Sequence, residues 1–247
     1  FAPSPTGHFH VGSARTTLFN YLFAKKNGGA FVLRIEDTDL ERSSREFEQD
    51  IFESIDWLDI IADEEPRTGG PFGPYRQSER IAGYTPYLER LLADGNAFYC
   101  PHSQAELEAE RTSLMAAKNN PIHVCSARES GGTGEGGIIR FKTPAGRTIA
   151  FPDLIRGQIS FQSDLLGDFS LAKNLSTPLY NFAVVIDDYE MQITHVIRGE
   201  EHIPNTPRQL LIQKALGISP PIFAHVPLIL GPDRAKLSKR HGATAIR

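Results

Sequence analysis

The sequence predicts an α/β fold: a doubly wound parallel sheet whose chain is interrupted by an α+β insertion. Three observations carry that expectation. Helix-like and strand-like segments alternate twice within roughly the first sixty residues. From about residue 98 to 177 the alternation gives way to short strand-like runs parted by turn residues. It then resumes over the remaining C-terminal segment. The expected units are residues 1–97 together with 178–247, and an inserted module of ordinary size, 98–177, between them.

The elements follow in order. PSPTGHFHVGS opens the chain, with Pro3 and Pro5 stiffening the backbone and Gly7 and Gly12 carrying no Cβ. Ala14, Leu18, Tyr21 and Leu22 recur at helical spacing, and Asn27-Gly28-Gly29 marks the stop. Phe31–Ile35 reads as a short buried strand that ends in the acidic IEDTD. Ser43-Ser44-Arg45-Glu46 reads as a capping box before a helix that buries Phe47, Ile51, Ile55 and Leu58. A third helix, from about Ser78 to Asp94, turns Ile81, Tyr84, Leu88 and Leu91 inward.

Within the insertion, Ser103 and Glu106 form another capping box, and Gly131–Gly137 reads as a flexible connector. IIRFK, TIAF and QISFQ read as a meander. The α/β texture returns at Leu179–Asp188 and Thr194–Glu201. Thr206-Pro207-Arg208-Gln209 combines an N-cap, an N1 proline and a capping glutamine, for a helix closing at Gly217. His225–Leu230 reads as a last buried strand.

Composition narrows the function. At 40% hydrophobic and 23% charged residues, the 247-residue chain is that of an ordinary globular protein. A net charge of −4 excludes a broadly basic nucleic-acid binder, so any such contact must come from local patches. The apolar stretches are too short to span a bilayer, and no signal peptide is visible. Cys100 and Cys125 alone make no disulfide framework, so the expected compartment is reducing and cytoplasmic. The chain opens on Phe1 rather than Met and reads as part of a longer protein.

Two loops point to phosphate. In the opening loop a ligand can approach the backbone at Gly7 and Gly12, the following helix aims its free amides there, and His10 can donate to a phosphate oxygen. By itself the segment could equally be a turn and a helix cap. Near the other end, GPDRAKLSKRHGA packs Arg234, Lys236, Lys239, Arg240 and His241 into a loop after a strand, where open α/β sheets place their ligands. The two loops are expected to clamp a polyphosphate from opposite sides.

His10-Val11-Gly12-Ser13 and Lys236-Leu237-Ser238-Lys239-Arg240 resemble the HIGH and KMSKS motifs of class I aminoacyl-tRNA synthetases. APSPTGHFHVGSARTTLFNYLFA, RIEDTD, GPYRQSER, LYNFAVVIDDYEMQITHVIRGEEHIPNTPRQ and AKLSKRHGA further resemble the glutamyl-tRNA synthetase family, over nearly the whole chain. That resemblance implies a Rossmann-like catalytic domain, split by an insertion that holds the tRNA acceptor end. It implies activation of L-glutamate by ATP to glutamyl-adenylate, with Mg²⁺ accompanying the nucleotide, and transfer to the 3′ end of tRNA-Glu. It also implies that Gly7, His10, Gly12 and Glu201 bind ATP while Lys239, with Lys236 nearby, stabilises the pyrophosphate side. Glu36 would take the substrate ammonium, Arg198 its γ-carboxylate through a planar fork, and Ser4 and Tyr180 would be hydrogen-bonding neighbours. Taken alone, Glu36 and Arg198 could equally form ordinary ion pairs.

The expected state is a monomer with no membrane contact. A shortened paralogue that glutamylates a modified tRNA base, and a non-catalytic RNA-binding module on the same fold, are the rival readings. Relatives in this family often carry zinc in the insertion. Here the candidate ligands are Cys100, His102, His123 and Cys125, with Ala127 standing where a last histidine could be, so a metal-free pair of thiols is the alternative.

Overall fold

A computed structural model describes residues 1–39, 41–132, 137–231 and 246. Its architecture is mixed α/β, as the alternation of segments predicts. The first helix, α1 (Val11–Lys26), starts at His10 and ends in the basic turn Lys25-Lys26, which suits the negative end of the helix dipole. Thr17 is its buried residue, and Ala14, Tyr21 and Ala24 pack against the core, whereas Leu18 and Leu22 are about half exposed. The helical spacing is therefore correct, but the buried face lies beside the leucines rather than on them. Helix α2 (Arg45–Trp57) is capped by Ser44, whose hydroxyl accepts from Phe47 N at 3.2 Å. The cap is thus one residue later than the expected box, and Ile51, Phe52 and Ile55 are buried behind it.

Phe31–Ile35 is as buried as a central strand should be, but its pairing is confined to isolated parallel bridges, Val32 with Glu64 and Ile35 with Arg76. On the other edge the opening residues join it: Arg34 N donates to Phe1 O and Glu36 N to Pro3 O, each at 3.0 Å. Such evenly slanted bonds are those of a parallel pair. They lay the opening loop against the start of the acidic segment, and so place Ser4 near Glu36.

Helix α3 (Ile81–Ala93) buries Tyr84, Leu88 and Leu91 as its periodicity predicts. The strands β1 (Ala97–Cys100), β2 (Ile138–Phe141), β5 (Ser170–Asn174) and β6 (Thr177–Pro178) form one antiparallel sheet in that order. Between β2 and β5 the chain makes a hairpin of β3 (Thr148–Asp153) and β4 (Gly157–Gln162). The expected meander is therefore divided. IIRF pairs with β1 and β5, while the hairpin joins a second sheet, order β4-β3-β8-β7. There β7 (His195–Gly199) and β8 (Ile222–Val226) run parallel, and Asp153 of β3 pairs with Phe223 of β8 in the same sense. The last strand is IFAHV; it starts three residues before the expected HVPLIL and ends before Pro227, which supplies no donor.

Helix α4 (Gln104–Ala116) has the predicted capping box, with Glu106 N donating to Ser103 Oγ at 3.3 Å and Ser103 N to Glu106 at 2.7 Å. Helix α5 (Tyr180–Glu190) is buried over Phe182–Asp187. Helix α6 (Thr206–Leu216) closes at Gly217 with a left-handed φ of 66°, but its N-cap is Asn205. Thr206 and Gln209, expected to cap it, point elsewhere. Among the described residues, no helix is long and apolar enough to cross a membrane.

The principal core gathers Leu88, Leu91, Ile139, Leu171, Phe182, Ile186 and Ile212, from both the α/β portion and the 98–177 segment. Within this interior Asp187 is fully buried and accepts from Gln77 Nε2 (2.8 Å), Arg80 Nε (2.6 Å) and Tyr84 Oη (2.9 Å), with Arg34 Nε at 3.8 Å. Replacing Asp187 by Ala leaves Gln77 Nε2, Arg80 Nε and Tyr84 Oη without their buried acceptor. It should cost about 3–5 kcal/mol, read as a lower urea midpoint.

Candidate functional site

A cleft of about 1430 Å³ opens beneath the N-terminus of α1, and Ser4, His10, Gly12, Glu36, Tyr180, Arg198 and Glu201 all line it. Residues from the opening loop, α1, the acidic segment, α5 and β7 with its following turn thus meet in one place. Gly7 is not among the lining residues, and the space where its Cβ would stand is open. Lys236 and Lys239, with Arg234, Arg240 and His241, lie outside the described residues, as do residues 133–136 of the glycine-rich connector. The chain runs toward that lysine segment from the cleft itself: Leu228 and Ile229 are lining residues. Arg15 donates to Pro227 O, and Leu228 N donates to Glu200 at 2.7 Å, so this exit is tied to α1 and to the turn after β7.

At the cleft mouth His10 is the N-cap of α1 and its Nδ1 accepts from Ser13 N at 3.2 Å. A neutral ring that accepts at Nδ1 carries its proton on Nε2, a donor of the kind a phosphate oxygen needs. A Cβ on Gly12 would lie 3.0 Å from His10 Cε1. This glycine therefore makes room for the imidazole, a closer reason for its presence than the approach of a ligand.

Glu36 is buried and accepts from Arg34 Nη2 at 3.2 Å, while Arg34 Nη1 donates to Asp188 at 2.8 Å. Burial pushes the Glu36 carboxyl up to about 7, against the pull of Arg34 and with the help of Asp188 and Asp187. Burial likewise raises Asp188. Arg34 and Asp188 also line the cleft. Arg34 is not among the expected site residues; the available signal is a lone arginine leading into three acids in RIEDTD. This wall holds more carboxylates than guanidinium groups. It suits a cationic ligand atom.

Arg198 faces the cleft from β7. Its Nε donates to His225 Nε2 at 3.2 Å, and Nη2 donates to Thr206 Oγ1 at 2.8 Å and Gln209 Oε1 at 2.9 Å. Those bonds use the proton on Nε and both protons on Nη2. Among the described residues Nη1 makes no hydrogen bond, so the expected two-nitrogen fork narrows to the protons of Nη1. Glu36 and Arg198 do not pair with each other; Glu36 pairs with Arg34, whereas Arg198 has neutral partners. Tyr180 Oη lies 3.3 Å from His202 Nδ1, and burial, with Glu36 nearby, pushes the phenol up to about 12, so it stays a neutral donor. The Glu201 carboxylate folds back over Gly199, where a Cβ would collide with it.

Away from the cleft, Cys100, His102, His123 and Cys125 converge with all candidate donor atoms within 4.8 Å of one another. Cys100 Sγ lies 3.5 Å from both His102 Nδ1 and His123 Nε2, and Cys125 Sγ lies 3.6 Å from His102 Nδ1. Tetrahedral zinc with sulfur and nitrogen ligands spaces its donors by roughly 3.3–3.8 Å, so these three sulfur–nitrogen spacings, and the two-thiol, two-imidazole donor set, suit the metal. His123 Nδ1 bonds Glu110, the carboxylate–histidine arrangement that orients a zinc ligand. Burial raises the Cys125 thiol in the metal-free protein.

Among solved structures the likeness is to class I synthetases. A glutamate tRNA ligase from Elizabethkingia meningosepticum, crystallised in complex with its amino acid, superposes with a TM-score of 0.91 and 42% identity, over 98% of this chain and 51% of that one. The glutamate-tRNA synthetase of Elizabethkingia anophelis matches equally, with 52% of its length covered. The family described as "tRNA synthetases class I (E and Q), catalytic domain" matches residues 1–247, and the chain belongs to it. The glutamate–tRNA ligase of Carboxydothermus hydrogenoformans is 54% identical over all of this chain and 53% of its own length. That of Heliobacterium modesticaldum is 52% identical, with 51% covered. The chain spans about half the length of the curated relatives it matches.

The Glu36 carboxyl should titrate near 7 in side-chain ¹³C NMR; a midpoint in the ordinary range around 4.5 would contradict its described surroundings. Since its folded value is raised, its contribution to stability should decline as pH rises from about 4.5 to about 7 and level off above that.

Proposed function

We propose that this chain is the catalytic portion of an ATP-dependent ligase that activates L-glutamate as glutamyl-adenylate and transfers it to the 3′ end of tRNA-Glu. The observation that carries this reading is the single cleft. It joins a helix N-terminus with His10, an anion-rich wall at Glu36 and a cationic group at Arg198. The names of relatives at about half identity support the ligase over a base-modifying transferase or an inert RNA-binding module.

Neither chemical step requires a protein nucleophile. The glutamate α-carboxylate attacks the α-phosphorus of ATP and pyrophosphate leaves; a terminal tRNA hydroxyl then displaces AMP. The chain's task is alignment and charge stabilisation. The α1 amides and His10 Nε2–H face the nucleotide, beside Gly12 and Glu201, and Mg²⁺ enters with the phosphates. Glu36 takes the substrate ammonium, Arg198 Nη1 takes the γ-carboxylate, and Ser4 and Tyr180 complete the pocket. Lys239, with Lys236, stabilises the departing pyrophosphate. Glutamine would leave the cation without an anionic partner and is disfavoured. Residues 98–177 serve the acceptor end. The protein acts in the cytoplasm as a monomer.

The cysteine and histidine cluster holds one zinc ion with a structural role: Cys100, His102, His123 and Cys125 bind it and Glu110 orients His123. It ties the end of β1 to the segment before residue 126.

Glutamate-dependent ATP–pyrophosphate exchange, measured with and without tRNA, tests the reading. Lys239→Ala should reduce exchange by about two orders of magnitude with an unchanged circular dichroism spectrum. Absence of exchange with glutamate would refute the proposal. Because a protonated Glu36 must release its proton to meet an ammonium, KM for glutamate should rise up to tenfold per pH unit below about 7. Elemental analysis should find one zinc per chain, and His123→Ala should lose it to a chelator far faster.

A further inference from the structure

Behind Arg198 lies a fully buried pair that the proposed chemistry leaves unused. His225 of β8 and Asp153 of β3 both have side chains with no exposure, and His225 Nδ1 lies 2.6 Å from Asp153 Oδ2. A carboxylate accepts and an arginine Nε donates, so these two neighbours fix the ring between them. Nδ1 must hold the proton for Asp153, and Nε2 must be bare for Arg198. Burial holds the imidazole below the ordinary histidine range, and Arg198 and Arg156 act in the same direction against Asp153.

We propose that His225 is a positioning residue for carboxylate recognition: locked by Asp153 in the Nδ1–H tautomer, it holds Arg198 by Nε so that Nη1 is left for the substrate. The inference rests on the ligase reading for the substrate's identity, but its geometric part does not. Every group around the ring agrees with it. Asp153 also accepts from the backbone amides of Ile155, Arg156 and His225, which fixes the carboxylate itself. Arg156 Nε donates to His225 O and its Nη2 bonds Glu200, so its charge is engaged away from the imidazole. Thr206 Oγ1, 3.2 Å from His225 Nε2, and Gln209 hold Nη2. The Phe223 ring, stacked on His225 with an interplanar angle of 15°, lies 5.5 Å from the Arg198 guanidinium carbon. A proton added at Nε2 would set a donor against the Arg198 donor and a second positive charge beside the first. The pair is therefore a lock rather than a proton shuttle. Its consequence is selective: an arginine that swings freely can still meet a carboxylate, but only after losing orientational freedom that His225 has already removed.

The test has two arms, both on the protein that carries this chain. In ¹⁵N-histidine-labelled protein, long-range ¹H–¹⁵N spectra should show His225 neutral, protonated at Nδ1 and bare at Nε2 at pH 7; a proton on Nε2 overturns the proposal. This arm needs neither a variant nor activity, so it decides the lock even if the exchange assay refutes the ligase reading. In the kinetic arm, His225→Asn keeps a donor for Asp153 and removes the acceptor for Arg198, whereas His225→Gln places an oxygen near the lost Nε2. KM for glutamate should rise about tenfold or more in His225→Asn, with kcat and KM for ATP within about threefold of the original. His225→Gln should recover most of the loss. A folded His225→Asn protein with unchanged KM for glutamate, or equal defects toward ATP and glutamate, overturns it.

Discussion

One buried carboxylate holds the cleft in register. Asp187, inside α5, accepts from Gln77, Arg80 and Tyr84 and stands beside Arg34, so the acidic segment, the turn before α3 and α3 itself all converge on α5. A carboxylate removed from water is tolerated only when its oxygens are filled by donors, and here those donors come from separate parts of the chain. The arrangement sets the position of Arg34, and Arg34 sets both Glu36 and Asp188. The wall expected to meet a substrate ammonium is therefore an extension of the core, not a pair of surface acids. Its low exposure is also what raises Glu36.

Across the cleft the logic is reversed. Among the described residues Arg198 is held by neutral acceptors, a histidine, a threonine and a glutamine amide, and forms no direct ion pair. The two walls thus differ in kind. One is a crowd of carboxylates held together by a minority of guanidinium groups; the other, among the described residues, is a guanidinium whose hydrogen-bond partners are neutral. A zwitterionic ligand with an additional carboxylate fits that asymmetry better than either a plain cation or a plain anion.

Local chemistry made much of this legible. Serine-to-glutamate capping at α4, the burial of Tyr84, Leu88 and Leu91, and the glycine end of α6 follow from short-range rules and are as expected. Where tertiary contacts compete, the local reading slips. Thr206 and Gln209 look like helix caps in sequence, yet they turn to Arg198, because a partly buried guanidinium needs acceptors more than the helix needs a cap. IIRF and TIAF look like neighbours in a meander, but they pair in different sheets, since strand partners are chosen by long-range packing. The cleft residues are legible through family motifs, and of those the structure describes all but Gly7 line one cleft. Asp153 and His225 are not: they lie 72 positions apart, and each alone is an unremarkable strand residue.

The β3–β4 hairpin gives this architecture an engineering consequence. Although it sits between strands of the antiparallel sheet in the chain, it extends the other sheet edge to edge, and its last β3 residue supplies the partner of His225. Excising or grafting that ribbon as a self-contained cassette would strip one side of β8 and unmoor a group far from the cut. Chimeras that exchange the intervening region between relatives would have to carry the hairpin and the strand it leans on together, as a single heritable unit.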